Sequence, residues 1–230
     1  MDTVELTLST LLAALRRTGC ERPHVALAGQ PVYVPAEAAP ALERAAVDEL
    51  SGLGLARGTS LTDDFTDLLH LLATPELDFH AHVRTGDEEY AVLVAARGRE
   101  AAVVVRDGNR VWLRSSRDPD HAATLVAHLP EFAPARFTPF SVDRAELRAE
   151  RRRSAEAREL DEILGVPRYG WGYLQAAHRD RRGDRRQAGE DITYLDIDAG
   201  RIGFTPAGGG YLTVLPGTPD NLAAKLAALR

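Results

Sequence analysis

Apolar positions recur along this chain at two different periods, and the change of period divides it. Leu6, Leu11, Leu12 and Leu15 repeat at helical spacing, with Arg16 and Arg17 toward the end and Gly19 just past it, as helix C-termini favour. A second helix is expected over 36–53, stopped by Gly52 and Gly54. A third is expected over 62–73, with Asp63 and Asp64 in its first turn, where acids interact favourably with the helix dipole. From Glu76 the period falls to two. Leu77, Phe79, Ala81 and Val83 alternate with Asp78, His80, His82 and Arg84, the pattern of a half-buried strand. Further strands are expected at 90–95, 101–105 and 111–115, parted by Gly86, Gly98 and the turn Asp107-Gly108-Asn109, whose residues accept positive φ.

The same order then recurs. A charged helix is expected over 143–164, followed by strands at 171–178, 192–197, 201–204 and 211–215, with a polar loop over 179–190. Each meander runs into an apolar helix opened by a similar phrase, Asp118-Pro119-Asp120 in the first half and Thr218-Pro219-Asp220 in the second. Thr218 suits an N-cap and Pro219 the first helical position. Such internal repetition constrains architecture more than any single motif. The expected fold is α+β: a pseudo-twofold pair of helix, four-strand meander and helix units, spanning about 61–130 and 143–230, that form an antiparallel sheet with helices packed on it. An N-terminal helical segment, 1–58, precedes them in a single domain of residues 1–230, and the Pro-rich stretch 130–139 connects the halves.

Composition narrows the class. The chain has 230 residues, 44% hydrophobic and 27% charged, typical of a globular domain with a real core. No apolar run approaches a membrane span, and the acidic start Met1-Asp2-Thr3-Val4-Glu5 lacks a signal-peptide pattern, so a cytoplasmic protein is expected. One cysteine, Cys20, allows no intrachain disulfide and no cysteine metal cluster. The net charge of −6 is uneven: residues 1–140 carry 20 acids against 13 bases, whereas 141–190 carry 10 acids against 12 bases.

Few residues propose chemistry. Asp78, His80 and His82 share one face of a strand, a set that could begin a zinc site. No further His or Cys pattern supplies the remaining ligands, so a solvent-facing polar stripe is the reading adopted and no metal or cofactor is expected. Gly52-Leu53-Gly54 follows a helix, not a strand, and caps it instead of cradling a dinucleotide. Arg22 and His24 near Cys20 could activate a thiolate, but a lone cysteine at a helix exit is expected to be incidental. No catalytic residue is expected, and the chain is read as a non-enzyme. The loop 179–186 carries five arginines and two aspartates between aromatic strands. That suits phosphate and base contacts, so nucleic-acid binding is the alternative function; its acids and the negative net charge favour a charged rim of a protein-binding surface.

The segment Gly172-Tyr173-Leu174-Gln175-Ala176-Ala177-His178-Arg179-Asp180, the arginine loop after it, and Tyr194-Leu195-Asp196-Ile197-Asp198-Ala199-Gly200-Arg201 together resemble the C-terminal part of the EspG family. Leu71-Leu72-Ala73-Thr74-Pro75-Glu76-Leu77 and Val104-Val105-Arg106-Asp107-Gly108 extend the likeness upstream. The resemblance implies a pseudo-twofold α+β fold and a cytosolic, non-enzymatic chaperone of type VII (ESX) secretion in actinobacteria. Such a chaperone binds and masks the apolar helical tip of the PPE member of a PE–PPE pair. A PE–PPE-like or other helical type VII substrate is therefore the expected partner, with no membrane partner, and monomer and homodimer both fit. The expected contact surface is an open sheet face carrying Trp171, Tyr173 and Gln175, with His80 and His82 on a symmetry-related open face and Arg181, Arg182 and Arg185 as its rim.

Overall fold

The computed structural model describes residues 2–28, 36–148 and 154–229. Strand β1 (Val4–Thr7) leads into helix α1 (Leu8–Arg17), a 3-10 turn at Val25–Leu27, helix α2 (Ala39–Gly52), the small hairpin β2 (Ala56–Arg57) and β3 (Ser60–Leu61), and helix α3 (Asp63–Ala73). The first meander is β4 (Leu77–Thr85), β5 (Glu88–Arg97), β6 (Glu100–Asp107) and β7 (Arg110–Ser116), closed by α4 (His121–Val126). The second half comprises β8 (Phe140–Asp143), α5 (Ala155–Gly165), β9 (Gly170–Arg179), β10 (Arg185–Gln187), β11 (Ile192–Ile197), β12 (Gly200–Ala207), β13 (Tyr211–Pro216) and α6 (Pro219–Ala227).

Apart from the separate β2–β3 hairpin, these strands form one antiparallel sheet in the order β1-β7-β6-β5-β4-β9-β11-β12-β13-β8, with β10 also on β9. The order reads alike from both edges toward the middle, where β4 and β9 pair from Leu77 opposite His178 to Thr85 opposite Gly170. The seam between β4 and β9 is therefore the pseudo-twofold position. On one face, α4 and α6 cover the seam, packing Leu125 and Leu222 over Phe79, Ala81, Val94, Leu174 and Tyr194. The other face has two separate covers. Helices α1 to α3 bury Leu93, Val104 and Leu113 under Leu11, Leu15, Phe65 and Leu69, while α5 buries Leu195, Phe204 and Val214 under Ala157 and Leu160. Between these two covers, among the described residues, the second face of the seam carries no α-helix; the 3-10 turn at Val25–Leu27 lies against β4 and β5.

Three expectations change. Leu6 is not helical: Val4–Thr7 pairs with β7, Val4 opposite Leu113, and the helix begins only after Thr7, whose hydroxyl accepts from Thr10 N. The helix expected over 143–164 is shorter, because Phe140–Asp143 pairs with β13. Helix α5 starts at Ala155, capped by Ser154; residues 149–153 lie outside the described residues. The polar loop at 179–190 contains β10, which folds back on β9. The paired helix openings also differ in detail: Thr218 caps α6, whereas in the first half it is Asp120 that caps α4.

Candidate functional site

Alternation along β4 and β9 puts Asp78, His80, His82 and Arg84 on the same face as Ala177, Gln175, Tyr173 and Trp171, and the seam register sets them opposite one another in that order. The two groups of residues, expected on symmetry-related faces, are thus one strip. At its exposed end, Trp171 is 38% exposed and lies opposite Arg84. Tyr169, one step before β9, is 53% exposed and donates its hydroxyl to Asp198 at 2.5 Å. Next along the strip, His82 and Tyr173 stack with ring centroids 4.9 Å apart. Both are half-buried; burial pushes the His82 imidazole below its ordinary value and the Tyr173 phenol above its own.

The opposite end is closed, which corrects the expected solvent-facing stripe. Asp78 and His80 are each 1% exposed. Asp78 receives a bidentate guanidinium from Arg185, at 2.9 and 2.8 Å, and a hydrogen bond from His24 Nε2 at 3.1 Å. Burial raises the Asp78 carboxyl, but the His24 and Arg185 hydrogen bonds outweigh it and hold the group below 3.8. Burial and the neighbouring His24 push His80 down to about 3. His80 is thus a neutral core histidine, with no exposed surface to offer a partner. Gln175 donates to Asp191 at 2.6 Å, as does Gln187 at 2.8 Å.

Among the described residues the metal-like set is therefore His24, Asp78 and His80, with ligand atoms within 4.8 Å of one another, and not the Asp78, His80 and His82 read from one strand. Its chemistry argues against a metal cage. His24 Nδ1 accepts from Ala26 N at 3.0 Å, so Nε2 carries the ring proton and points it at Asp78. The carboxylate is already paired with Arg185. A metal would have to displace that arginine and break the Ala26 hydrogen bond. Cys20 is buried, and burial raises its thiol, which leaves it an inert core residue.

The arginine loop is mostly spent on the fold. Arg179 donates to the carbonyls of Pro75 at 3.1 Å and Ala73 at 2.8 Å. Arg185 holds Asp78, and Arg186 pairs with Asp180 at 3.1 Å. Asp180 also accepts from the backbone of Arg182 and Asp184, which shapes the tip. Arg181 and Arg182 are exposed there. The Asp196 to Arg201 motif is likewise structural: the two side chains form a buried bidentate pair at 2.7 and 2.8 Å, with the guanidinium 4.5 Å from the Tyr194 ring centre. His24, Arg84 and Tyr169 belong to the site and escaped sequence reasoning. Of these, Arg84 could have been found, since it continues the His80–His82 alternation.

A ten-strand antiparallel path folded about a central seam, helices on both faces and, between two of them, an aromatic strip that no described α-helix covers define the architecture. The chain belongs to the EspG family, whose sequence model matches residues 7–228. Its fold is similar to that in the "Structure of the Mycobacterium tuberculosis type VII secretion system chaperone EspG5 in complex with PE25-PPE41 dimer", with a TM-score of 0.73 and 15% identity over 99% of this chain and 95% of that one. No curated protein matches the chain.

Proposed function

We propose that this protein is a type VII secretion chaperone that binds a PE–PPE-like helical pair and masks its apolar tip with the seam strip. Family membership and the fold shared with EspG5, solved with a PE25–PPE41 dimer, support the class of partner. The observation that carries the surface is the seam between the α1–α3 layer and α5, which no described α-helix covers. There Trp171, Tyr173 and His82 offer aromatic contact area and Arg84 a charge at the open end, while Arg181 and Arg182 are exposed on the hairpin tip beyond the other end. Aromatic anchors ringed by polar groups are what a helix tip with an apolar patch requires. The role needs no reaction, which agrees with reading the chain as a non-enzyme. Among the described residues no helix is long and apolar enough to cross a membrane, and a cytosolic site of action follows from the proposed role.

The nucleic-acid alternative loses its main support, because three of the five arginines in 179–186 are held by protein groups. The test is co-expression with PE–PPE pairs from the same genome, followed by size-exclusion chromatography and titration calorimetry. A near one-to-one complex is expected, stable at moderate salt. Trp171→Ala and Tyr173→Ala should each weaken it at least tenfold, in line with about 1.4 kcal/mol or more for an aromatic hot spot. Full binding by the folded double variant would remove the strip from the interface.

A further inference from the structure

Arg185 reaches Asp78 by crossing an entire strand. In register, Asp78 faces Ala177 of β9, and Ala177 faces Gln187 of β10. Arg185, on β10, stands opposite Arg179, so its side chain spans β9 to reach the buried carboxylate on β4. The segment's other bonds lie at its tip and its roots. The tip is closed by Asp180 N donating to Asp184 O and Gly183 N donating to Asp180 O, both at 2.9 Å, and by Arg186 on Asp180. The roots are held by Arg179 on one side and by Gln187 with Asp191 on the other. Strand β10 pairs with β9 over three residues only. The segment is thus a preformed hairpin with one side-chain latch onto the body beyond its roots.

We propose that residues 179–187 act as a strap, latched by Arg185 on Asp78, that determines how much of the seam strip is exposed. Closed, its Arg185 covers Asp78 together with His24, whose ring also lies 4.8 Å from His80, and leaves the Arg84–Trp171 and His82–Tyr173 rungs open. Lifted, it removes the Arg185 half of that cover and opens the His80–Gln175 and Asp78–Ala177 rungs to solvent. Alternate rungs are about 7 Å apart along a strand, so opening lengthens the accessible strip by roughly 14 Å. His80 fits this role. Its Nδ1 is buried without a partner and lies 3.9 Å from the Asp78 carboxylate, ready to gain a hydrogen bond once water or a client backbone reaches it. That a client reads the longer strip rests on the chaperone assignment; the strap itself does not.

The test measures diethylpyrocarbonate labelling of His80 by peptide mass spectrometry in the full chain without any client. It compares wild type, Arg185→Ala, and the double variant Asp78→Asn/Arg185→Ala, which avoids an uncompensated buried carboxylate. Labelling of His80 should rise at least tenfold in both variants, while the buried His121 at the start of α4 stays as protected as in wild type. Unchanged His80 protection in folded variants would overturn the strap, and so would a parallel rise at His121, which would mean general loosening. Calorimetry with a PE–PPE pair then reads the consequence, a severalfold change in affinity on unlatching. Failure of wild type to bind any such pair would count against the chaperone assignment and leave the labelling result standing.

Discussion

At the scale of single residues, the motifs that carry the family likeness act as packing devices. Gly172 faces the α4–α6 side of the seam, and a methyl group there would lie 2.6 Å from the His82 carbonyl oxygen and 2.6 Å from the Tyr194 ring. Only glycine lets that ring lie against β9. Gly172→Ala should therefore lower stability by roughly 1–3 kcal/mol, the range for overpacked cores, read as a lower urea midpoint at unchanged slope. Tyr194 itself gives the opposite expectation. Its ring is fully buried beneath Arg201, yet its hydroxyl has no hydrogen-bond partner. Removing an unsatisfied polar atom costs nothing in lost bonds. Tyr194→Phe should leave the urea midpoint unchanged or raise it, and a clear drop would show that the hydroxyl is satisfied in solution.

At the scale of elements, the readable ones are those whose pattern is local. The β4–β7 meander is visible because one face is buried and glycine turns separate the strands. Helix α6 is visible from its cap, and Thr218→Ala should lower stability by about 1 kcal/mol, measurable as a shift in thermal midpoint. Strands β1, β8 and β10 are not readable. Each has three or four residues, and each forms because a neighbouring strand offers free backbone groups, a fact no local window contains. The site divides the same way. Trp171, Tyr173 and Gln175 announce themselves by alternation on β9. The closure over His80 depends on His24 and Arg185, 54 and 107 positions from Asp78. Without that pairing, an Asp-His-His alternation looks like a wet stripe.

For the whole molecule, burial of neutral titratable groups on both sides of neutrality bounds the pH range of stability. His80 is held near 3, and His82 and His128 also lie below the ordinary 6.5. Between those values the unfolded chain binds protons that the folded one refuses, so stability is full above about pH 6.5 and falls as pH drops toward 3. Tyr90 is pushed up to about 12 by burial, and Tyr194 is raised as well. Their contribution is full below pH 10 and is lost as pH climbs toward 12. Thermal midpoints recorded from pH 3 to 11 should therefore trace a plateau between roughly 6.5 and 10, with a decline on each side. His80→Gln separates the causes, since glutamine cannot titrate. Its acid limb should be shallower by up to one proton, at most about 1.4 kcal/mol per pH unit, while the alkaline limb stays as in wild type. An acid limb of unchanged slope in that variant would mean that His80 is reached by water in the folded state. The seam would then be open at both ends without any unlatching of Arg185.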